Sequence, residues 1–323
     1  MTLIDDIRSI IEPELKLFED AYRSALNTDN PLLSSVFEHL SIGKGKQLRP
    51  VITLLSAKLC RGITDKTISS AVALELIHTA SLIHDDIVDM SDMRRGQASV
   101  NAQWNNKVAV LTGDYLLSQS LDIISSIRNQ SILNIVLNMA RQLASGELYE
   151  LHYGQSMWIS EEEYYNIIEH KTAMLFEACT EVGAVSAAAT PKHQRAMRAF
   201  GNCMGMCFQL KDDELDYSDN DDLGKPRMSD IRDGKVTLPL IIALKRAAKN
   251  EVEHIKEICR QPITYDTEQE LKSFVLRYDG MRYARQKMEE YRAQARDIIS
   301  VFHPSTAKEA LLELLNYSIN RLY

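Results

Sequence analysis

All-α is the fold class that this 323-residue sequence predicts, on three observations. Apolar residues recur at three- and four-residue spacing through nearly every long segment, glycine and proline fall mostly at breaks between them, and no stretch alternates as a half-buried strand does. The length allows a sizeable core. Hydrophobic residues at 45% and charged residues at 25% fit a soluble globular chain rather than a disordered or membrane-embedded one.

Taken in order, residues 2–26 read as an amphipathic helix and 31–40 as a second, ending before Gly43-Lys44-Gly45-Lys46. Pro50 suits the first turn of the next helix, which runs to Cys60-Arg61-Gly62. Residues 65–90 form one long helix, 91–99 a polar loop, and helices follow at about 104–127 and 131–152. Ser160-Glu161-Glu162-Glu163 is a capping box, and Thr190-Pro191 starts a further helix with a threonine cap and a first-turn proline. Thr267-Glu268-Gln269-Glu270 and Thr306-Ala307-Lys308-Glu309 read as two more capping boxes. No composition shift marks a boundary. The expectation is a single domain over residues 1–323, a bundle of about a dozen helices around a central cavity.

The net charge of −8 argues against general nucleic-acid binding, so any anionic ligand must be met by local basic clusters. Five cysteines form an odd, scattered set that fits a reducing compartment; Cys203 and Cys207, without a histidine pair nearby, read as core packing. The N-terminus is acidic where a targeting peptide would be basic, and no apolar run reaches the ~18 residues of a membrane span. These features predict a cytoplasmic protein with no transmembrane segment.

Chemistry concentrates at Asp85-Asp86-Ile87-Val88-Asp89, which recurs as Asp212-Asp213-Glu214-Leu215-Asp216. On a helix the first and last aspartates of each group lie one turn apart, so their oxygens can converge on a hard divalent cation. The plain alternative for one such group is a solvated acidic face. Leu82, Ile83, Ile87 and Val88 argue against that, and a second copy makes accident less credible. Two such helices packed face to face would place six aspartates around one cavity. Basic residues cluster beside glycines at Lys44 to Arg49, at Arg94-Arg95, and from Lys225 to Lys235, where backbone can approach an anion. Carboxylates for cations and basic loops for anions point to a metal–diphosphate substrate. On periodicity alone, His78 reads as a core histidine two turns before Asp85, Lys171 as a lysine snorkelling from an apolar helix, and Gln209 stays ambiguous.

The whole pattern resembles the trans-isoprenyl diphosphate synthases, the polyprenyl synthetase family, over roughly residues 40–323. The resemblance rests on Gly45-Lys46-Gln47-Leu48-Arg49-Pro50, Glu75-Leu76-Ile77-His78, both aspartate groups, Arg94-Arg95-Gly96, Gly113-Asp114, Gly146-Glu147, Lys171-Thr172, Phe208-Gln209, Leu223-Gly224-Lys225-Pro226 and Gly234-Lys235-Val236-Thr237-Leu238-Pro239. It implies the isoprenoid-synthase fold and a homodimer. It also implies that Asp85, Asp86, Asp89, Asp212, Asp213 and Asp216 bind about three magnesium ions that clamp an allylic diphosphate. Arg94, Lys171, Lys225 and Lys235 would contact that diphosphate, while Lys46, Arg49, His78 and Arg95 would hold isopentenyl diphosphate. Backbone carbonyls near Lys171-Thr172 and the Gln209 amide would stabilise the allylic cation.

The implied reaction is a 1'-4 condensation of isopentenyl diphosphate with a primer such as farnesyl diphosphate, by ionisation, attack of the double bond and proton loss. It needs no protein nucleophile, and no Ser–His–Asp or Cys–His arrangement is evident. In this family a bulky aromatic four or five positions before the first aspartate group stops the chain; here Ser81 and Ala80 stand there, so a product of heptaprenyl to decaprenyl length, serving as a quinone side-chain donor, is expected. Leu117, Leu121 or Ile124 would meet the tail next, and transient contact with a membrane surface would release the product. Two positions depart from the family pattern: Ala98-Ser99 replace Pro-Thr, and Met228 stands where glycine is frequent. The alternatives are a short-chain farnesyl or geranylgeranyl diphosphate synthase, a prenyl-binding regulatory subunit and a class I terpene cyclase. A cyclase has no use for Lys46, Arg49 and Arg95, and regulatory subunits lack intact metal motifs.

Overall fold

The structure, a computed structural model, describes residues 3–42, 45–154, 158–218 and 228–321. It is helical as expected: among the described residues twelve helices have eleven residues or more, with shorter helical segments and one two-stranded hairpin between them. None of these helices is long and apolar enough to cross a membrane.

Most boundaries follow from local chemistry. The expected first helix is two, Leu3–Ser9 and Glu12–Ala25, because Pro13 in the first turn of the second offers no N–H to continue the first. Thr64 caps helix Asp65–Val88, and the Ser160–Glu163 box forms as read, with Glu163 accepting from the Ser160 N–H at 2.6 Å. Thr190 caps helix Pro191–Asp216 through the His193 N–H at 3.3 Å. Two boxes are corrected. Thr264, not Thr267, caps helix Tyr265–Arg277, with Thr267 as the reciprocating third residue. Ser305, not Thr306, accepts the Lys308 N–H at helix Thr306–Asn320.

Contacts divide the chain into two compact units. The first comprises Met1–Ala140, Leu175–Gly201 and Ile298–Leu314. Its axis is helix Asp65–Val88, which is packed by helices Glu12–Ala25, Leu48–Cys60 and Asn106–Ser126 and is buried almost all round from Thr67 to Ala80. Helix Asn106–Ser126 contributes Thr112, Leu116, Ser120 and Ile124 to the interior. The second unit comprises Arg141–Met174, Asn202–Asp297 and Leu315–Tyr323. Helix Leu238–Arg246 is its inner element and packs on Glu161–Ile168 and Tyr265–Arg277, with Leu238, Leu240 and Ala243 fully buried.

Candidate active site

In the first unit, the last turns of helix Asp65–Val88 carry the first aspartate group. Asp85 and Asp89 stay partly exposed, whereas Asp86 turns inward and is 3% exposed. A carboxylate so buried needs a partner. Arg94 supplies it, donating from Nε to Asp86 Oδ1 at 2.6 Å. Arg94 reaches back because residues 91–99, expected as a plain loop, contain a hairpin pairing Met93–Arg94 with Gln97–Ala98 around a turn at Arg95 and Gly96, where φ is 51° and 76°. The left-handed backbone at Arg95 turns its side chain away from that of Arg94, and it lies against Gly45, where a Cβ would come within 2.7 Å of the guanidinium carbon.

His78, Asp86, Arg94, Arg95 and Glu75 line a cavity of about 70 Å³. Burial, with Arg49, Arg95 and Arg94 nearby, holds the His78 pKa well below its ordinary value, so the imidazole is neutral and donates from one nitrogen only. Glu75 is driven the other way: burial raises its pKa while Arg49 and Arg95 oppose the rise. Lys46 and Arg49 lie just before and within the start of helix Leu48–Cys60, Lys46 exposed and Arg49 with its guanidinium 5.5 Å from the Phe176 ring centre. Ala80 is fully buried, and Ser81 donates its hydroxyl to the His78 carbonyl at 2.9 Å. Among the residues expected to meet a product tail, Ile124 is buried and Leu121 is 40% exposed, so Leu121 lies on the outer face of its helix.

The second unit repeats the inside–outside pattern at the end of helix Pro191–Asp216. Asp212 and Asp216 are partly exposed, and Asp213 is 1% exposed. Asp213 accepts the Tyr164 hydroxyl at 2.5 Å and the Gln209 amide N–H at 3.0 Å; Gln209 in turn accepts the Thr172 hydroxyl at 2.7 Å. Burial pushes the Asp213 carboxyl up to about 7 against the two hydrogen bonds, with the Asp212 charge adding to the rise. Asp212 accepts from Arg321 at 2.7 Å.

Lys171 and Thr172 sit not on an α-helical stretch, as periodicity implies, but in a π-helical turn, Glu169–Ala173, joining helices Glu161–Ile168 and Met174–Ser186. The extra residue in such a turn re-aims the side chains around it. Gly146 makes room, since a Cβ there would lie 2.9 Å from the Lys171 nitrogen. Lys171 Nζ is 2.9 Å from Glu147 and 2.7 Å from Glu150, and Lys235 Nζ is 3.4 Å from Glu150. Burial alone would lower the Lys171 pKa, but the two glutamates carry it above the ordinary lysine value. Lys171→Met should therefore lower stability by about 1–2 kcal/mol in urea titrations, a figure reduced because the three side chains retain about a quarter of their exposure. Lys171, Thr172, Gln209, Asp213, Lys235 and Tyr164 line one cavity of about 160 Å³.

Each unit thus gathers part of the expected site: His78, Asp86, Arg94 and Arg95 in one, and Lys171, Thr172, Gln209, Asp213 and Lys235 in the other. Lys225 lies outside the described residues. Sequence reading misses Tyr164, Glu150 and Arg321, none of which belongs to a recognisable motif. Met228 takes φ of 51° while fully buried, which explains why glycine suits that position.

The resemblance to polyprenyl synthetases implies divalent metal ions. Among the described residues no three carboxylate, imidazole or thiolate side chains are gathered as a ready-made metal site. The donor chemistry nonetheless fits: each motif presents two partly exposed aspartates, hard oxygen ligands suited to such ions, over a third fixed by hydrogen bonds from within.

The family model described as "Polyprenyl synthetase" matches residues 30–275. An octaprenyl diphosphate synthase from Haemophilus influenzae is 34% identical over 321 residues, covering 99% of this chain and 98% of that protein. A short chain isoprenyl diphosphate synthase from Methanothermobacter thermautotrophicus is 32% identical over 324 residues, covering 98% and 99%. The crystal structure of a Caulobacter crescentus polyprenyl synthase complexed with calcium and isoprenyl diphosphate superposes with a TM-score of 0.92 at 31% identity, over 99% of this chain and 98% of that one. The match along nearly the whole chain means that this protein belongs to the polyprenyl synthetase family of prenyltransferases.

Proposed function

We propose that this protein condenses isopentenyl diphosphate with an allylic diphosphate, farnesyl diphosphate being a suitable primer, to make a long-chain trans-polyprenyl diphosphate for quinone side chains. The observation that carries this reading is the arrangement repeated in both units: an aspartate group with its middle member buried and hydrogen-bonded and its outer members partly exposed, beside a cavity lined by cationic side chains. Asp85, Asp89, Asp212 and Asp216 hold magnesium, about three ions in all, and Asp86 and Asp213 support them from within. When bound, magnesium stabilises the charge that develops on the departing diphosphate.

The chain's own groups do the rest. Arg94, Lys171, Lys235 and Lys225 contact the allylic diphosphate, and Lys46, Arg49, His78 and Arg95 hold that of isopentenyl diphosphate. Neutral His78 adds a hydrogen bond without adding charge to a site already rich in guanidiniums. Backbone carbonyls of the π-helical turn and the Gln209 amide oxygen face the developing cation, and exclusion of water prevents its capture as an alcohol. Val110, Leu111 and Leu121, exposed on helix Asn106–Ser126, offer an apolar face to a second copy in a homodimer. A cytoplasmic location, with transient membrane-surface contact at product release, completes the reading.

Purified protein given magnesium, isopentenyl diphosphate and farnesyl diphosphate should yield polyprenyl diphosphates of heptaprenyl to decaprenyl length by chromatography. Products no longer than geranylgeranyl would favour the short-chain alternative, cyclised hydrocarbons a terpene cyclase, and no turnover without an added protein a regulatory subunit. Ala80→Phe should shorten the product by several isoprene units. Because Ala80 is fully buried, the partly exposed Ser81→Phe serves as the second variant, and unchanged length in a folded variant of either would refute a tail path beside these residues.

A further inference from the structure

We infer that Arg321 is a built-in cation that holds Asp212 in the metal-free protein and must leave when metal binds. The inference rests on the assignment of Asp212 as a magnesium ligand and adds a residue and an ordering step to it.

Arg321 follows the last described helix, Thr306–Asn320, and its amide still continues the helical ladder by donating to the Tyr317 carbonyl at 3.0 Å. Its side chain is seated on both sides. Nη2 donates to Asp212 Oδ1 at 2.7 Å and to the Phe208 carbonyl at 2.9 Å, two groups one turn apart on helix Pro191–Asp216. Nε donates to the Ser318 carbonyl at 3.3 Å, and the guanidinium carbon lies 3.9 Å from the centre of the Phe208 ring. The Arg321 side chain is 12% exposed, unlike the swinging cation of an ordinary surface ion pair.

The electrostatic need for it is local. Asp212, Asp213 and Asp216 share the last turn of their helix, where like charges repel and the helix dipole adds further negative potential. Asp212 meets that potential with its side chain 42% exposed. A guanidinium at Oδ1 answers that charge and fixes the carboxylate rotamer. A divalent ion on the same carboxylate would stand within a few ångströms of the guanidinium, and two cations that close repel strongly in a partly buried site. Metal and Arg321 therefore compete for Asp212. By linkage, binding the metal loosens the last turn of helix Thr306–Asn320 to the extent that the clip weakens the metal.

The test uses the metal-free full chain with Mn²⁺ as probe, free ion being followed by electron paramagnetic resonance. Arg321→Gln should bind Mn²⁺ about 10-fold more tightly than the unaltered protein. Hydrogen–deuterium exchange supplies a second readout: Mg²⁺ with inorganic diphosphate should speed exchange of the 317–321 amides several-fold in the unaltered protein, and leave them unchanged in Arg321→Gln, where they are already fast. Equal or weaker Mn²⁺ binding by the variant, or slower exchange of these amides on adding metal, would overturn the clip. Asp212→Asn separates this from the underlying assignment. Fewer or more weakly bound Mn²⁺ ions there uphold Asp212 as a ligand whatever Arg321 does; the same number bound with the same affinity as in the unaltered protein removes the assignment and the clip together.

Discussion

Asp85→Ala and Asp212→Ala should each lower turnover of isopentenyl and farnesyl diphosphates by a thousandfold or more, to be read as kcat from radiolabelled product at saturating magnesium. An aspartate that anchors a metal contributes most as charge develops on the leaving group, so its removal falls mainly on kcat. Both residues are partly exposed, so alanine leaves no sizeable cavity; the melting temperature should move little in Asp85→Ala, and fall in Asp212→Ala to the extent that Arg321 loses its partner at 2.7 Å. Asp86→Ala differs from Asp85→Ala. It strands Arg94, whose Nε is 2.6 Å from Asp86, and should therefore cost stability as well as activity. Turnover within tenfold of the unaltered protein in both Asp85→Ala and Asp212→Ala would end the metal assignment.

Asp213→Asn should make the metal-free protein more stable at pH 8 while abolishing activity. The folded protein keeps the Asp213 proton until about pH 7, whereas the unfolded chain loses it near 3.8. Folding is therefore penalised increasingly as pH rises from about 4 to about 7, and the whole penalty, on the order of 4 kcal/mol, is present above that window. Asparagine removes the charge but cannot accept from both Tyr164 and the Gln209 amide as the carboxylate does. Subtracting about 1–2 kcal/mol for a mismatched hydrogen bond leaves a net gain of about 2 kcal/mol at pH 8, vanishing or reversing near pH 5. Urea titrations with chelator at the two pH values check it. A variant no more stable than its parent at pH 8 would mean that Asp213 carries its charge without penalty, contrary to its burial.

Much of this was legible in residue order, for identifiable reasons. Helix Asp65–Val88 shows in sequence because burial on nearly all sides demands a long apolar run, and the aspartates show because they break it. The caps at Ser160 and Thr190 are local chemistry and need no knowledge of the fold for their bonds to form; the Thr64 cap is equally local but carries no Glu or Gln at its third position to announce it. Thr267 illustrates the limit: Thr264 and Thr267 stand three apart and bond reciprocally, so residue type cannot tell which leads. The inward turn of Asp86 and Asp213 depends on Arg94 and on Tyr164, partners eight and forty-nine residues away. The π-helical turn at Glu169–Ala173 has no composition of its own; it rests on packing, as the closeness of Gly146 to Lys171 attests. The hairpin escaped because its strands are too short to alternate and its left-handed turn is Arg-Gly rather than Asn-Gly.

That hairpin makes the sidedness of its two arginines a matter of backbone rather than of side chain. Arg94 and Arg95 are chemically identical, but Arg94 closes a strand and Arg95 opens the left-handed turn that follows it. Point substitution can weaken either guanidinium, but it cannot exchange their duties, because the turn and not the residue type decides which of them faces Asp86.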